Sequence, residues 1–318
     1  MAIIFASLFA LTSPIPASFF MRWEFSRHRA TQPPNYEEKK SRVAVTKNLI
    51  YPSKFNNSYA DIYTPTDKKG PHPTVLWIHG GAFVGGDKSN VEIYATALAA
   101  EGFSVVCINY ELAPKVKYPT PVRQTNEAYL WLFSIADEYS LDLDRFIIAG
   151  DSAGAHVAAQ FAAIQSNKTY AAAMNFAQTV PMHTLKAALL FCGPYDVTKI
   201  DDGSGNFAVD FFIRKSGLAY FGTKDWSSRF SPHATILHYV TKNYPPTFIT
   251  DGNELSFEDH AAALAAALEK MGITFEADFI APDTEAGHQY QFLLDTDLGQ
   301  QSFEKAVKFI KTCIGDEK

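Results

Sequence analysis

The stretch GDSAG, from Gly150 to Gly154, decides the fold. An apolar run ends just before it at Ala149, and an alanine-rich run typical of a helix begins at Ala153. This order predicts a strand, a sharp turn and a helix, with Ser152 on the turn. A serine on such a turn has a strained backbone, and its neighbours two positions away must be small so that strand and helix can approach each other. Gly150 and Gly154 meet that requirement, and the helix N-terminus favours a negative charge developing beside the hydroxyl.

A second glycine-rich stretch, HGGAF, spans His79–Phe83 and follows the strand-like run from Thr74 to Ile78. Acyl transfer needs main-chain N–H groups aimed at an oxyanion, and a loop nearly free of side chains lets them reach a substrate carbonyl. The candidate donors are Gly81, Ala82 and, as the residue after the serine, Ala153. A turn without a ligand is the alternative for either motif alone, and the two motifs in this order make that alternative a poor explanation.

On these residues the chain resembles the α/β-hydrolase superfamily and, within it, the hormone-sensitive-lipase-like esterases. The resemblance runs from about Tyr59 to the C-terminus, and besides the two glycine-rich motifs it is carried by NYELAP at Asn109–Pro114 and by Tyr118-Pro119. Two features depart from the family pattern. Ala82 replaces the third glycine of the His-Gly-Gly-Gly loop, and the usual Asp-Pro-Leu around the acidic residue is missing. The resemblance implies an α/β-hydrolase fold with a helical cap.

Strand-like and helix-like segments alternate along the chain, which indicates a mostly parallel sheet with helices on both faces. Val43–Ile50 and Ser58–Tyr63 are expected to form an antiparallel leading pair. The other expected strands are Thr74–Ile78, Phe103–Asn109, Phe146–Ala149, Ala187–Cys192, Pro246–Thr250 and Thr274–Ile280. We therefore expect an α/β fold with a mostly parallel eight-stranded sheet flanked by helices.

Two segments lie outside this alternation. Residues 198–242 are rich in aromatic side chains and are expected to form a helical cap inserted into a catalytic domain of residues 41–318. Residues 1–40 are expected to form an N-terminal lid, with an amphipathic stretch from Ile3 to Phe25. A processed secretory segment is the alternative, but such a signal needs positive charge before its apolar part, and the first basic residue here is Arg22. The lid and a cytoplasmic location are therefore favoured over secretion.

Composition excludes several other classes of protein. The net charge is −6 among 318 residues, and such an acidic chain is not expected to bind nucleic acid. The apolar N-terminal run is too short to span a bilayer, so no stable membrane insertion is expected. Three cysteines, Cys107, Cys192 and Cys313, lack the spacing of a metal site. No cofactor and no metal are predicted, and a homodimer is possible.

The base that activates a serine is normally a histidine, and α/β-hydrolases carry it after the acidic residue in chain order. His288 follows the last expected strand within the sequence GHQYQF and lies between two structured segments. His260 is the other late histidine, and it falls inside an alanine-rich helical pattern. His288 is therefore the predicted base.

The acid should follow the strand that ends at Thr250, where the sequence reads DGNELSFED from Asp251 to Asp259. In the resembling enzymes the carboxylate comes a few residues past the strand end, which favours Glu254. Asp251, at the strand end itself, is the rival. Glu258 and Asp259 are typical of the first turn of a helix.

The predicted function is a cofactor-free serine carboxylesterase that acts on short- to medium-chain esters. Its triad would be Ser152, Glu254 and His288, its oxyanion donors Gly81, Ala82 and Ala153, and its partner a small-molecule ester. Two alternatives use the same fold: an amide or arylformamide hydrolase or deacetylase with the same triad, and a small-molecule binder without catalysis.

Overall fold

In the computed structural model, which describes residues 12–27, 30–200, 203 and 205–316, eight strands form one sheet in the order β1-β2-β4-β3-β5-β6-β7-β8. β2 runs antiparallel to both β1 and β4, and all other neighbours are parallel. The strands are β1 (Val43–Ile50), β2 (Tyr59–Pro65), β3 (His72–Ile78), β4 (Ser104–Ile108), β5 (Leu141–Asp151), β6 (Leu185–Phe191), β7 (Thr247–Asp251) and β8 (Phe275–Phe279). The predicted fold, with its antiparallel leading pair, is confirmed.

Helices cover both faces of the sheet. In the described residues they are α1 (Ile15–Phe25), α2 (Tyr36–Ser41), α3 (Glu92–Ala100), α4 (Thr120–Ile135), α5 (Ala153–Ser166), α6 (Lys168–Met174), α7 (Phe207–Phe221), α8 (Trp226–Ala234), α9 (Glu258–Lys270) and α10 (Asp297–Ile314). The same part of the chain has three short 3-10 turns, at Lys88–Val91, Ile236–Tyr239 and Tyr290–Phe292. α3 and α10 pack on one face, and α4, α5 and α9 pack on the other.

The central strands explain why both faces need cover. Every residue of β3 and of β4 is buried, as expected for parallel strands covered on both sides. Side chains alternate between faces, so Val75 and Trp77 join the core under α3 and α10, whereas Leu76 and Ile78 join the core under α4 and α5. The two cores hold the carboxyl ends of the strands at a common edge.

Some boundaries differ from the sequence prediction. β5 begins at Leu141 rather than at Phe146, because Leu141 pairs with His72 ahead of a register shift in the ladder. The polar residues between these points hide the early part of the strand from an apolar pattern. α6 was not predicted either; the Asn167 side chain caps it by accepting from the N–H of Tyr170 at 3.0 Å.

The elements that build the site meet at the carboxyl edge of the sheet. The loops after β3, β5, β7 and β8 meet there, as is usual for ligand sites in open parallel sheets. α7 and α8 are inserted between β6 and β7, and α1 packs against α7. None of the helices in the described residues is both long and apolar enough to cross a bilayer.

Candidate active site

Ser152 lies on the turn between β5 and α5, in a backbone conformation that side chains rarely adopt (φ 51°, ψ −120°). The turn is tight because a Cβ added at Gly150 would lie 2.4 Å from the carbonyl oxygen of Gly154. A Cβ at Gly154 would lie 2.1 Å from the carbonyl oxygen of Ile78 on the neighbouring strand. Glycine is therefore required at both positions, and the serine N–H donates to the Phe191 carbonyl at 2.7 Å. This geometry presents the hydroxyl at the N-terminus of α5.

His288 reaches Ser152 from the loop after β8. Its Nε2 lies 3.0 Å from the serine Oγ, within hydrogen-bond range. The structure thus brings together the predicted nucleophile and the predicted base, which are far apart in the sequence. The imidazole also meets the ring of Phe257 edge to face, with 5.6 Å between ring centroids.

A serine links the other side of the imidazole to an acid. Nδ1 of His288 lies 2.8 Å from Ser256 Oγ, and the Ser256 hydroxyl donates to Asp251 Oδ1. Asp251 ends β7 and is fully buried. Since the Ser256 hydroxyl donates to the carboxylate, its oxygen is free to accept a hydrogen bond from the N–H at Nδ1, which leaves Nε2 as the acceptor that faces Ser152.

The structure does not bring the Glu254 carboxylate to His288. The turn at Gly252 and Asn253 does place Glu254 beside the histidine loop, but the contact is made by its backbone, whose N–H donates to the Ala286 carbonyl at 3.0 Å and which bridges to Gly287. Its side chain is exposed and makes no hydrogen bond or ion pair among the described residues. Asp251, the alternative acid, is the carboxylate linked to the imidazole.

Burial changes the proton affinities of both partners. It raises the pKa of Asp251 to about 7, against the opposing effect of hydrogen bonds from Ser256 and from the N–H of Phe257. Desolvation lowers the pKa of His288 to about 4, although part of its surface is exposed where it lines the pocket. The imidazole is therefore neutral at pH 7 and can accept the proton of Ser152.

The oxyanion loop, which we define as residues 79–83, lies next to Ser152. Gly81 has φ +110°, Ala82 has φ 52°, and within the described part of the chain their N–H groups make no hydrogen bond. Ala153 is the first residue of α5, where a helix leaves its N–H groups unpaired. All three predicted donors line the same pocket as Ser152 and His288. The arrangement can accept an oxyanion.

Asp151 joins three parts of the site. Its Oδ1 accepts from the Trp77 indole at 2.9 Å, and its Oδ2 accepts from the Gly80 N–H at 2.9 Å and from the Gln289 side chain at 2.6 Å. Burial raises the pKa of Asp151 to about 6, and these hydrogen bonds oppose that shift. One carboxylate therefore ties β3, the oxyanion loop and the histidine loop to the serine turn. The GDSAG pattern alone does not display these contacts.

His79 supports the oxyanion loop instead of acting as a base. Its ring stacks on Tyr110 with 4.4 Å between centroids, and Nδ1 lies 2.7 Å from the Gly80 carbonyl. The Tyr110 hydroxyl donates to the His79 carbonyl at 3.0 Å. Burial lowers the pKa of His79, so the ring stays neutral.

A pocket of about 520 Å³ opens beside Ser152, within the usual size for small-ligand sites. α1, α7 and α8 form its roof. The apolar residues that line this roof are Phe20, Met21, Phe25, Val209, Phe212, Ile213, Phe221 and Trp226. Such a lining favours an apolar substrate group.

Arg22 fastens α1 to the loops below it. Its Nε donates to the Val84 carbonyl and its Nη2 to the Ala113 carbonyl, both at 2.6 Å. Val84 immediately follows the oxyanion loop, and Ala113 belongs to the NYELAP segment. The sequence prediction did not identify this contact, because a lone arginine in an apolar helix carries no signal of its partners.

One group of side chains in the described residues could in principle hold a metal ion. A sulfur of Cys192, an oxygen of Asp251 and a nitrogen of His288 lie within 4.8 Å of one another. Burial raises the pKa of the Cys192 thiol well above its ordinary value, and a protonated thiol is a poor ligand. The chemistry of this donor set therefore fits the serine–histidine arrangement better than a metal site.

The BD-FAE family model matches residues 60–263. The chain belongs to the BD-FAE family. That range contains the oxyanion loop, the serine turn, the inserted helices and Asp251, while His288 lies beyond it. Family membership and the hydrolase fold thus agree with the geometry described above.

Solved structures share the whole architecture. Esterase B from Lactobacillus rhamnosis superposes with a TM-score of 0.78 at 18% identity, over 99% of this chain and 97% of that one. A bacterial heroin esterase superposes with a TM-score of 0.72 at 22% identity, over 86% of each chain. At these identities the likeness concerns the fold.

Curated relatives match only parts of their own length. An acetyl esterase from Salmonella paratyphi B is 31% identical over 36% of this chain and 35% of its own. A probable isoprenylcysteine alpha-carbonyl methylesterase from Oryza sativa subsp. japonica is 29% identical over 59% of this chain and 43% of its own. The match thus spans less than half the length of these relatives.

Proposed function

We propose that this BD-FAE protein is a serine carboxylesterase that hydrolyses esters with short- to medium-length acyl groups. The observation that carries the proposal is the 3.0 Å contact between Ser152 Oγ and His288 Nε2. It lies beside a glycine-rich loop in which the N–H groups of Gly81 and Ala82 make no hydrogen bond to any described residue. The names of the relatives, which include an acetyl esterase and a methylesterase, agree with this class of reaction.

In the proposed mechanism, Ser152 attacks the ester carbonyl while His288 Nε2 takes the hydroxyl proton. The carbonyl oxygen becomes negative and is stabilised by the N–H groups of Gly81, Ala82 and Ala153. The imidazolium then gives its proton to the leaving alcohol, and an acyl-serine forms. Water, deprotonated by the same imidazole, releases the acid and restores Ser152.

We assign the acid of this triad to Asp251 acting through Ser256, in place of Glu254. Asp251 is buried and linked by hydrogen bonds to Nδ1, whereas the Glu254 side chain is exposed. A buried carboxylate stabilises the imidazolium that forms during attack and fixes its tautomer. Ser256 extends the reach of the shorter aspartate to the ring.

The proposal is tested by replacing the nucleophile. Ser152→Ala should keep the fold and lower kcat for p-nitrophenyl acetate by several orders of magnitude, as removal of a triad member does. An organophosphonate should label the wild type with one equivalent per chain and leave the variant unlabelled. Turnover of the variant at the wild-type rate would exclude this mechanism, and an unlabelled, inactive wild type would favour a binding protein without catalysis.

The apolar roof supports the preference for small or medium apolar acyl groups, and a panel of esters that differ in acyl length is the direct measurement. Anilides of the same acids in that panel would reveal amide hydrolysis. A cytoplasmic location and a homodimer stay predictions from the sequence.

A further inference from the structure

The outer face of α1 carries an apolar stripe that the described residues leave uncovered. Ile15, Phe19 and Trp23 follow one another at intervals of one helical turn and therefore share one face of the helix. Their exposed fractions are 41%, 64% and 51%. Single exposed apolar residues are common on protein surfaces, but a contiguous stripe marks an interaction site.

The opposite face of the same helix is already used. Ala17 and Met21 are buried, and Met21 accepts a hydrogen bond at Sδ from the Ser216 hydroxyl at 3.4 Å. Phe20, on the flank of the helix, stacks on Phe212 of α7 with 5.3 Å between ring centroids. α1 is thus apolar on two sides, and packing against the described residues accounts for only one of them.

The chain that precedes the stripe is also apolar. Every residue from Met1 to Leu11 except Ser7 is apolar, and no charged residue comes before Arg22. The sequence of this segment offers no charged side chain to turn towards water. If it folded back over the stripe it would replace one apolar surface with another, so self-covering would not remove the apolar surface.

The charged end of α1 fits the boundary between water and lipid. The Arg27 guanidinium lies 3.7 Å from the centre of the Trp23 ring, which places a cation beside an amphipathic aromatic group. Tryptophan and arginine are typical of helices that lie in a membrane interface, with the ring at the headgroups and the cation in water. A second protein copy would have to bury this cation or leave it at the rim.

We propose that the stripe formed by Ile15, Phe19 and Trp23 docks α1 on the surface of a phospholipid bilayer, as a peripheral contact that does not span it. Met21 on the buried side of the same helix and Phe20 on its flank line the pocket. A docked bilayer would therefore lie against the pocket roof. If the proposed esterase function also holds, esters dissolved in the bilayer would have a short path to Ser152.

Vesicle binding tests this surface directly. The full-length protein is sedimented with phosphatidylcholine vesicles, alone and mixed with phosphatidylserine, and compared with Phe19→Glu/Trp23→Glu. Leu130→Glu/Phe133→Glu on α4 is the matched control, since these residues are 49% and 53% exposed. We expect the α1 double variant to lower the partition coefficient by about tenfold or more, from loss of aromatic burial, while the control binds like the wild type.

Three outcomes would overturn the proposal. The wild type does not bind vesicles, or the two double variants lose vesicle binding equally. The third is that light scattering shows a wild-type dimer that does not bind vesicles and that the α1 substitutions dissociate. The last outcome would assign the stripe to a second copy of the chain. Hydrolysis of a soluble short-chain ester should be unchanged in the α1 variant, because neither Phe19 nor Trp23 lines the pocket. Vesicle binding and esterase activity can therefore fail independently.

Discussion

The floor of the pocket and its roof are held together by different interactions. The floor, which we define as the serine turn, the oxyanion loop and the histidine loop, is joined by hydrogen bonds to the buried carboxylates of Asp151 and Asp251. The roof of α1, α7 and α8 is joined by aromatic packing and by two hydrogen bonds from Arg22. Hydrogen bonds demand particular groups at particular distances, whereas apolar packing tolerates exchange of similar volumes. The floor can therefore keep the same reaction, while exchanges of side chains in the roof change which substrates fit the pocket.

Among substitutions in the floor and the roof other than those of Ser152 and His288, replacement of Asp251, the proposed acid, should lower kcat the most. Asp251→Asn should lower kcat by about 10³–10⁴, because the imidazolium loses its stabilising charge. Glu254→Gln, at an exposed carboxylate, should stay within a few-fold of the wild type. Steady-state kinetics on both variants, with circular dichroism to show folding, make the comparison. An inactive Glu254→Gln beside an active Asp251→Asn would return the role to Glu254.

The oxyanion loop should respond less strongly but still sharply. A Cβ at Gly81 would lie 2.3 Å from the Gly85 carbonyl oxygen, and φ +110° disfavours any side chain there. Gly81→Ala should therefore rotate the donors and lower kcat by about 10²–10³, the cost of losing one oxyanion donor.

Ala82→Gly is the matched control for the oxyanion loop. It keeps the N–H, relaxes a positive φ of 52°, and should keep kcat near the wild-type value. If Gly81→Ala were as active as Ala82→Gly, the donors would lie elsewhere.

The pH dependence of kcat distinguishes Asp251 from His288, which are linked through Ser256 in the floor. Burial raises the pKa of Asp251 to about 7, so the carboxylate is lost as the pH falls through about 7, and kcat should fall with it. In Asp251→Asn this limb should disappear. The remaining loss should occur near pH 4, where His288 becomes protonated because desolvation has lowered its pKa. If kcat falls at the same pH in the wild type and in Asp251→Asn, Asp251 does not take part in catalysis.

The roof should give the smallest effect. Arg22→Lys keeps the charge but cannot donate in two directions from one planar group, so α1 should loosen over the pocket. We expect KM and the acyl-length preference to change by a few-fold while kcat for p-nitrophenyl acetate changes little. Lys115→Arg is a control at an exposed cation outside the roof. An unchanged acyl-length profile in Arg22→Lys would show that α1 does not contribute to specificity.

The sequence indicated the floor better than the roof for a physical reason. Ser152 and the donors of the oxyanion loop belong to short motifs in which glycines are required by close backbone contacts. His288 followed from chain order, and the eight strands followed from their apolar runs. The motifs and apolar runs are local signals, and chain order is visible in the sequence itself, so all three can be identified without knowledge of the three-dimensional structure.

The acid and the roof depend on geometry that the sequence does not display. The turn after β7 carries Glu254 to the histidine loop, yet its backbone makes the contact and its side chain faces solvent. Whether Glu254 or Asp251 faces the imidazole depends on the shape of that turn and on Ser256. The clamp made by Arg22 depends on carbonyl groups of two distant loops.

For enzyme engineering, the position between Gly150 and Ser152 is less free than the pentapeptide pattern suggests. A library that randomises Asp151 alone would remove acceptors from Trp77, Gly80 and Gln289 in a single step. Most members would then fail to assemble the site, whatever their effect on the substrate. A useful library would therefore vary Asp151, Trp77 and Gln289 together.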